Sequence, residues 1–253
     1  MPDLFDASTR SDPPSSPAVR PLADRIRPVR MGDVIGQGKV LGPDGPLGSM
    51  LASRSLSSLI LWGPPGVGKT TIARLLAQET DLAFVQISAI FSGVPELRKV
   101  FETAKLRRQQ GRGTLLFVDE IHRFNKAQQD AFLPHIERGT IVFVGATTEN
   151  PSFELNSALL SRCRVHVMEA VSPDDIIETL RRALADAERG LGDRGLRIGD
   201  DLLRMIAVAA DGDVRRALTL LEIAAEMAGE GGEVTAGTLE QVLADRTRRF
   251  DKG

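Results

Sequence analysis

A glycine-rich segment, residues 63–70 (GPPGVGKT), constrains the fold more than any other part of the chain. It matches the P-loop pattern GxxxxGK[ST], and it lies between an apolar run at 58–62 and a helical pattern at 70–78, as that motif requires. Glycines let the backbone approach phosphates, and the helix N-terminus supplies N–H groups and partial positive charge. We predict that Lys69 reaches the β- and γ-phosphates of ATP and that Thr70 binds Mg²⁺. The predicted nucleotide-binding residues here are Gly63, Pro64, Pro65, Gly66, Val67, Gly68, Lys69, Thr70 and Thr71.

Short apolar runs alternate with helical patterns through this part of the chain. The predicted strands are 58–62, 83–87, 114–118, 141–144 and 165–168, and the helices between them are 70–78, 94–110, 126–137 and 156–161. Almost wholly apolar strands joined by helices indicate a parallel sheet covered on both faces. We therefore predict an α/β P-loop NTPase fold with a five-stranded sheet in the order 5-1-4-3-2.

The pattern changes after residue 171, where no further strand is predicted. Ser172 and Pro173 begin a helix as N-cap and first helical residue, and further helices are expected at 200–210, 213–228 and 236–245. We predict an ATPase core at 21–168 and a small all-helical domain at 169–253. Residues 1–20, rich in Pro, Ser and Asp, are expected to form a flexible tail.

An acidic pair, Asp119 and Glu120, follows the third predicted strand. A carboxylate at the end of a strand can complete the Mg²⁺ shell, and a second one beside it can orient and deprotonate the attacking water. This pairing is typical of hydrolytic P-loop ATPases. We predict that Asp119 helps to bind the metal and that Glu120 is the general base.

The fourth predicted strand runs into Gly145-Ala146-Thr147-Thr148-Glu149-Asn150. If the strand order is 5-1-4-3-2, a polar side chain here lies between the first and third strands, within reach of the γ-phosphate and the attacking water. Thr148 is the candidate for this role, and Thr147 and Asn150 are alternatives.

Two arginines are candidates for contact with the nucleotide from outside the P-loop. Arg162, preferred over Arg164, follows the short helix 156–161 and can reach the γ-phosphate bound by a neighbouring subunit. Such arginine fingers contribute about 10³–10⁵ in rate. Arg215 begins a helix in the helical domain and lies near the nucleotide if that domain folds over it as a lid.

Composition excludes several other classes of protein. Among 253 residues, 32 are Lys or Arg and 34 are Asp or Glu, so the net charge is −2 and nucleic-acid binding must rest on local patches or helix ends. The single cysteine, Cys163, rules out an intramolecular disulfide and fits a cytoplasmic protein. No apolar run is long enough to span a membrane. His122, His135 and His166 lack ligand-like spacing and are interpreted as solvated or packed side chains.

The motifs GPPGVGKTT, FVDEIHRF, GATTENP, SRC and GDVRRAL, in this order, resemble those of AAA+ ATPases of the clamp-loader clade. Residues 117–165 and the ending RTRRFDKG narrow the resemblance to the family of RarA (MgsA) and the Werner-helicase-interacting protein. The resemblance implies a RecA-like AAA+ core with a helical lid. It also implies a DNA-dependent ATPase that acts at stalled or damaged replication forks, in replication, recombination and repair. The implied partners are DNA, single-stranded-DNA-binding protein and further copies of the chain, in a nucleoid-associated setting.

By position, the resemblance makes Lys69 and Thr70 the Walker A residues and Asp119 and Glu120 the Walker B residues. Thr148 corresponds to sensor 1, Arg162 to the arginine finger acting in trans, and Arg215 to sensor 2. Ile35-Gly36-Gln37 resembles part of the segment that packs on adenine, and by analogy Ser88 would restrain Glu120 until DNA binds. Family members continue well beyond residue 253 into a region that forms tetramers, so the chain is expected to be a fragment.

Clamp-loader relatives bind DNA phosphates with helix N-termini, which provide positive potential without many lysines. The matching positions here are Ser92 and Gly93 at one helix start and Asn125 and Lys126 at another. Three functional alternatives remain: a clamp-loader subunit, a Holliday-junction branch-migration motor, and a nucleotide-gated scaffold with little turnover. The last is disfavoured because the Walker residues and Arg162 are all present.

Overall fold

The computed structural model describes residues 20–250, with side-chain burial for 20–244. Apart from Arg20, the predicted tail lies outside the described residues. Described residues divide into two compact units. One is an α/β unit formed by Pro28–Ile176 and Asp211–Val214. The other is a helical unit whose described parts are 20–27, Ile177–Ala210 and 215–250.

A five-stranded parallel sheet forms the centre of the α/β unit. Its strands are β1 (Leu59–Trp62), β2 (Ala83–Ser88), β3 (Thr114–Asp119), β4 (Val142–Thr147) and β5 (Arg164–Val167). They lie in the order β2-β3-β4-β1-β5, which confirms the predicted fold class and strand order. β1 and β3 are almost wholly buried, as expected for strands covered on both faces.

Strand β4 ends at Thr147, and not at residue 144 as predicted. Gly145 and Thr147 pair with Ile60 and Trp62 of β1, so the sheet continues through them. In the next pair of strands, Ser88 lies opposite Asp119. Because parallel strands end at the same edge of a sheet, the residues after β1, β3 and β4 converge there.

Helices surround this sheet. Those of the α/β unit are α2 (Gly38–Leu41), α3 (Pro46–Ala52), α4 (Lys69–Glu79), α5 (Val94–Gln109), α6 (Lys126–Asp130), α7 (Leu133–Glu137), α8 (Pro151–Glu154) and α9 (Ser157–Leu160). Helix α4 packs on β2, β3 and β4. A separate cluster, which includes Leu97, Phe101, Val118, Phe132 and Phe143, buries one face of the sheet under α5 and the α6–α9 region.

The prediction of one helix over 126–137 is wrong. The structure has two short helices, α6 and α7, separated at Ala131 and Phe132. Pro134 explains the break, because it has no N–H to donate and its ring clashes with the carbonyl four residues earlier. In the structure Pro134 lies at the start of α7, a position where proline is tolerated.

The helical unit contains α1 (Leu22–Arg25), α11 (Asp200–Ala210), α13 (Ala236–Phe250) and most of α10 (Pro173–Ala185) and α12 (Val214–Ala228). Short 3-10 turns occur at Met31–Asp33 and Ile121–Arg123 in the α/β unit and at Gly192–Arg194 in the helical unit. The N–H of Leu22 donates to Glu222 at 2.8 Å, which ties α1 to α12. In the part of the chain that the structure describes, no helix has the length and apolarity of a membrane span.

Candidate nucleotide site

The P-loop leaves β1 at Gly63 and enters α4 after Gly68. The N–H of Gly63 donates to the carbonyl of Thr147 at 3.1 Å, and a Cβ at Gly63 would lie only 2.3 Å from the carbonyl oxygen of Met168. Gly68 is the N-cap of α4 with φ +95°, and a Cβ there would meet nothing within 4 Å. Glycine is therefore required sterically at the first position. At the second, the positive φ favours glycine, and the open space beside this helix start fits a phosphate group.

Lys69 directs its ammonium group back into this loop. Nζ donates to the carbonyls of Gly63 and Pro64 at 2.6 and 2.7 Å, and the residue is 8 % exposed. The cation is therefore held inside the P-loop, at the edge of the sheet where the phosphates are predicted to bind.

Thr70 and Asp119 are both half-buried at this edge, Thr70 in the first turn of α4 and Asp119 as the last residue of β3. Across the described residues, no group of three or more His, Cys, Asp or Glu side chains is arranged to hold a metal by itself. A hydroxyl and a carboxylate are suited to Mg²⁺, which takes one or two protein oxygens together with phosphates and water. These residues fit the predicted ion.

Glu120 adopts a left-handed backbone conformation, with φ +54° and ψ +46°, directly after β3. Its Oε2 lies 3.4 Å from Nε2 of His122, and Nδ1 of the same ring lies 3.0 Å from Oγ1 of Thr147. The structure thus brings together the predicted general base, a histidine interpreted from sequence as merely packed or solvated, and the end of β4.

Of the three candidates after β4, Thr147 is fully buried. Its hydroxyl accepts from the N–H of Glu149 at 3.0 Å and lies 3.2 Å from the Glu149 carbonyl. Asn150 caps α8 by accepting from the N–H of Ser152. Thr148 is half-buried between them, so it stays the candidate for contact with phosphate and water.

Arg162 follows α9 and forms an ion pair on the surface. Its Nε donates to Glu137 at 2.7 Å, and its Nη1 donates to the carbonyl of Ala158 at 2.8 Å. The next residue, Cys163, belongs to the apolar cluster under the sheet. Burial raises the pKa of the Cys163 thiol to about 12, against the opposing charge of Arg162. The predicted finger therefore lies at the boundary between solvent and core.

The segment that resembles an adenine-binding region contains Ile35, which is half-buried. Two residues later, Gln37 is buried and donates to the carbonyl of Glu169 at 2.8 Å. The N–H of Val171 donates to Gly212 at 3.2 Å, and the side chain of Asp213 lies directly against Gly66. Residues 35–37, the chain after β5 and 211–214 therefore belong to the α/β unit that carries the P-loop.

Arg215 comes immediately after residues 211–214, but it belongs to the helical unit, near the start of α12. Its predicted approach to the nucleotide stays a prediction. Asp213 belongs to the motif GDVRRAL, but its contact with Gly66 was not predicted, because it joins positions far apart in the chain.

The four residues predicted to contact DNA lie at two different helix starts. Gly93 is the N-cap of the 16-residue helix α5, which has no side-chain cap, and Ser92 precedes it. Asn125, by contrast, closes a capping box with Gln128 at the start of the five-residue helix α6, where Lys126 is exposed. The two starts therefore differ in the type of cap: α5 has no side-chain cap, and the Glu96 N–H of its first turn donates to the carbonyl of Gly93 at 3.2 Å.

His122 is the main functional candidate that sequence reasoning missed. Its partners lie after β3 (Glu120) and at the end of β4 (Thr147), and the 25-residue separation from Thr147 gives no local pattern. The signal that was available is its place two residues after the predicted base. Ser88, suggested by analogy as a restraint on Glu120, lies opposite Asp119 in the β2–β3 register.

Two family models match the chain. Residues 59–171 match the ATPase family associated with various cellular activities, AAA, and residues 192–253 match an AAA C-terminal domain. The first match contains the P-loop, Asp119, Glu120, Thr148 and Arg162.

Curated proteins and solved structures give further similarities. Replication-associated recombination protein A of Coxiella burnetii is 51 % identical over 92 % of this chain and 53 % of its own length. ATPase WRNIP1 of Dictyostelium discoideum is 45 % identical over 81 % of this chain and 23 % of its own. The chain thus spans about half of the length of the first of these relatives and about a quarter of the length of the second. The structure of the Thermotoga maritima Holliday-junction branch-migration motor RuvB covers 87 % of this chain and 72 % of its own, with 26 % identity and a TM-score of 0.69.

Proposed function

Because the chain belongs to the AAA ATPase family and matches replication-associated recombination protein A over 92 % of its length, we propose that it hydrolyses ATP to remodel DNA or protein at stalled or damaged replication forks. It would act in replication, recombination and repair, in the cytoplasm and on the nucleoid. The main support is the convergence of the P-loop with the ends of β3 and β4. That edge carries the Lys69 ammonium, the Glu120 carboxylate and a buried polar network.

In the proposed reaction, the amides at the start of α4 and the Lys69 ammonium bind the β- and γ-phosphates. Thr70 and Asp119 would hold Mg²⁺, which neutralises phosphate charge when bound. Glu120 accepts the proton of the attacking water, and Thr148 orients that water against the γ-phosphate. The P-loop backbone positions these groups before the reaction, which is the main route to catalysis in phosphoryl transfer.

Arg162 is proposed to complete the site of a neighbouring subunit. Its exposure on the surface supports a role in trans, because the side chain can be presented to another copy. Ile35 is proposed to pack on the adenine. Arg215 is proposed to contact the phosphates from the helical domain at 169–253, acting as a lid over the core at 21–168.

DNA is the proposed polymer partner, bound through its phosphates at two helix starts: Ser92 and Gly93, and Asn125 and Lys126. Support comes from the helix start at Gly93, which lacks a side-chain cap, and from the names of the relatives. Single-stranded-DNA-binding protein is a further proposed partner. Homo-oligomers are proposed for the full-length protein, to bring Arg162 to a neighbour's nucleotide.

The first test is the rate of ATP turnover with and without fork, gapped and blunt DNA, in this chain and in the full-length protein. We expect DNA to stimulate the full-length protein, and added salt to weaken the stimulation, because phosphate binding releases counterions. Glu120→Gln should retain nucleotide binding and lose turnover. Equal rates with and without every DNA would contradict DNA dependence, whereas wild-type turnover in Glu120→Gln would contradict the assigned base.

Arg162 is tested by mixing chains in the assembled protein. Glu120→Gln lacks the base and Arg162→Ala lacks the finger, so each alone should be inactive. A mixture should regain some turnover, since a site with an intact base then meets an intact finger on its neighbour. A mixture as inactive as its components would contradict action in trans.

Branch migration is a second candidate function, favoured by the similarity to the RuvB motor. The lower identity, 26 % against 51 %, makes it the less favoured one. Branch-migration and clamp-loading assays would separate these motors from a fork-remodelling enzyme. A nucleotide-gated scaffold would instead bind ATP with normal affinity and show little turnover even when assembled with DNA.

A further inference from the structure

The geometry points to His122 as a positioning residue that orients the Glu120 carboxylate, while the Thr147 hydroxyl fixes the tautomer of its ring. This inference rests on the proposed function, since it takes Glu120 to be the general base. Neither the matched families nor the relatives described above give His122 a role.

Burial makes the geometry of this network restrictive. The His122 side chain is 6 % exposed and Thr147 is fully buried, whereas Glu120 is 28 % exposed at the edge of the network. The Nδ1–Oγ1 distance of 3.0 Å is that of an ordinary hydrogen bond. The Nε2–Oε2 distance of 3.4 Å is longer, as is common for catalytic contacts before substrate binds.

The backbone holds the two interacting side chains on one turn. Glu120 is in the left-handed region, and the N–H of Arg123 donates to its carbonyl at 2.8 Å, closing the 3-10 turn Ile121–Arg123. This turn brings the His122 ring back beside the Glu120 carboxylate. A left-handed conformation at a non-glycine residue is kept only where the surrounding structure compensates for its strain.

The Thr147 hydroxyl has a single proton, so it can donate to only one of its two possible acceptors. The proton goes either to the Glu149 carbonyl, 3.2 Å away, or to Nδ1 of His122. If Nδ1 accepts it, a neutral ring carries its own proton on Nε2, which then donates to Glu120. If the Glu149 carbonyl accepts it, a neutral ring keeps its hydrogen bond to Oγ1 only with its proton on Nδ1, and Nε2 then presents a lone pair to the carboxylate.

Only the first arrangement places an N–H beside the Glu120 carboxylate, so we infer that it prevails. Thr147 and Glu149 flank Thr148, the candidate for contact with the γ-phosphate. A change at Thr148 on nucleotide binding would therefore alter the Glu149–Thr147 contact and, through His122, the orientation of the base.

The kinetic test compares His122→Phe with His122→Gln and Thr147→Val with Thr147→Ser in the full-length protein. Phenylalanine removes both ring nitrogens, and valine removes the hydroxyl at nearly constant shape. We expect each to lower kcat by about 10- to 100-fold, the range seen when a supporting hydrogen bond to a functional group is lost. The Kd for ATP should change less than about threefold, below 1 kcal/mol by the affinity relation. Glutamine, whose amide can donate to Glu120, and serine, which keeps the hydroxyl, should restore part of kcat.

The double variant His122→Phe/Thr147→Val separates a linked network from two independent structural effects. Residues that act through one another should give a double variant no slower than the slower single one. Thermal unfolding of every variant identifies any that fail to fold. If His122→Phe or Thr147→Val fails to fold, His122→Gln and Thr147→Ser still test the proposal. Multiplying effects in the double variant, or unchanged kcat in His122→Phe, would overturn the proposal.

A measurement without turnover separates this inference from the function it rests on. The chain has only three histidines, so ring ¹⁵N shifts can be assigned to His122 by substitution. We expect a neutral ring with its proton on Nε2, and a proton on Nδ1 would overturn the proposal. If Glu120→Gln turned over ATP normally, the base assignment would fail, while the ring tautomer would still report whether His122 donates to residue 120.

Discussion

The side chains around the proposed base and those around the proposed arginine finger differ sharply in how they are held. The inner group, Glu120, His122 and Thr147, lies at the ends of β3 and β4, and its histidine side chain is only 6 % exposed. The outer pair, Arg162 and Glu137, lies on the surface, with side chains 35 % and 51 % exposed. Both sets have polar contacts, but only the inner one includes side chains that are almost fully buried, those of His122 and Thr147.

The difference in burial predicts that substitutions in the two sets affect stability differently. Removing one member of a buried hydrogen-bonded pair lowers the free energy of unfolding, because the remaining polar atom then has neither a partner nor water to bond. An exposed ion pair contributes about 0–1 kcal/mol, so breaking it leaves the fold nearly unaffected. The inner group is therefore set by folding, whereas the outer pair can exchange partners when another subunit or a nucleotide approaches.

The largest expected effect comes from Arg162→Ala. Turnover of the assembled full-length protein should fall by about 10³-fold or more, the range associated with arginine fingers. The free energy of unfolding should change by less than about 1 kcal/mol, since the lost ion pair is exposed. ATPase assays and denaturant unfolding measure the two effects. Arg164→Ala, an exposed arginine two residues away, is the matched control and should retain turnover.

A large loss of stability in Arg162→Ala would erase the distinction between the two regions. The same would follow if Arg164→Ala were as slow as Arg162→Ala, because a general loss of surface charge would then explain both results.

Thr147→Val tests the inner group through the free energy of unfolding and not through the rate of ATP turnover. The substitution removes the hydroxyl that accepts from Glu149 and contacts His122, and should cost about 1–3 kcal/mol in the free energy of unfolding. Thr148→Val, at the half-buried neighbouring position, should cost less than about 0.5 kcal/mol. Urea unfolding of both variants measures the difference, and equal losses would mean that burial of Thr147 has no special consequence.

Glu137→Gln should have a smaller effect. It removes the negative charge that pairs with Arg162 and leaves a side chain of similar size. Release of Arg162 should raise turnover at subsaturating protein concentration by no more than about fivefold, the equivalent of 1 kcal/mol. The dependence of ATPase rate on protein concentration is the measurement. A tenfold or greater loss of rate would show instead that the carboxylate itself assists the reaction.

The same comparison shows what the sequence could predict. The P-loop and the positions of the strands follow from local signals, because apolar strands, glycines and helix starts have recognisable patterns along the chain. The strand order follows only from the P-loop fold class that the motif indicates. The His122–Thr147 and Arg162–Glu137 contacts each join positions 25 residues apart and depend on how strands and helices pack. Such contacts have no sequence period. The break between α6 and α7 has a local signal, Pro134, which the prediction of one helix over 126–137 did not take into account.

The smallest effect is expected at His166, a buried residue of β5, close to Arg162 in the chain. Burial, and secondarily the charge of Arg164, lowers its pKa, and its Nε2 has no hydrogen-bond partner among the described residues. The folded state therefore favours the neutral ring, so stability is complete above the unfolded pKa of about 6.5 and declines as pH falls through that value toward the lowered one. Melting temperatures between pH 8 and 5 should show this decline. His166→Gln should flatten it in part, since the lowered pKa of His135 contributes the same sign. An unchanged profile in His166→Gln would mean that β5 tolerates the charged ring, and that this edge of the sheet resembles the outer pair more than the inner group.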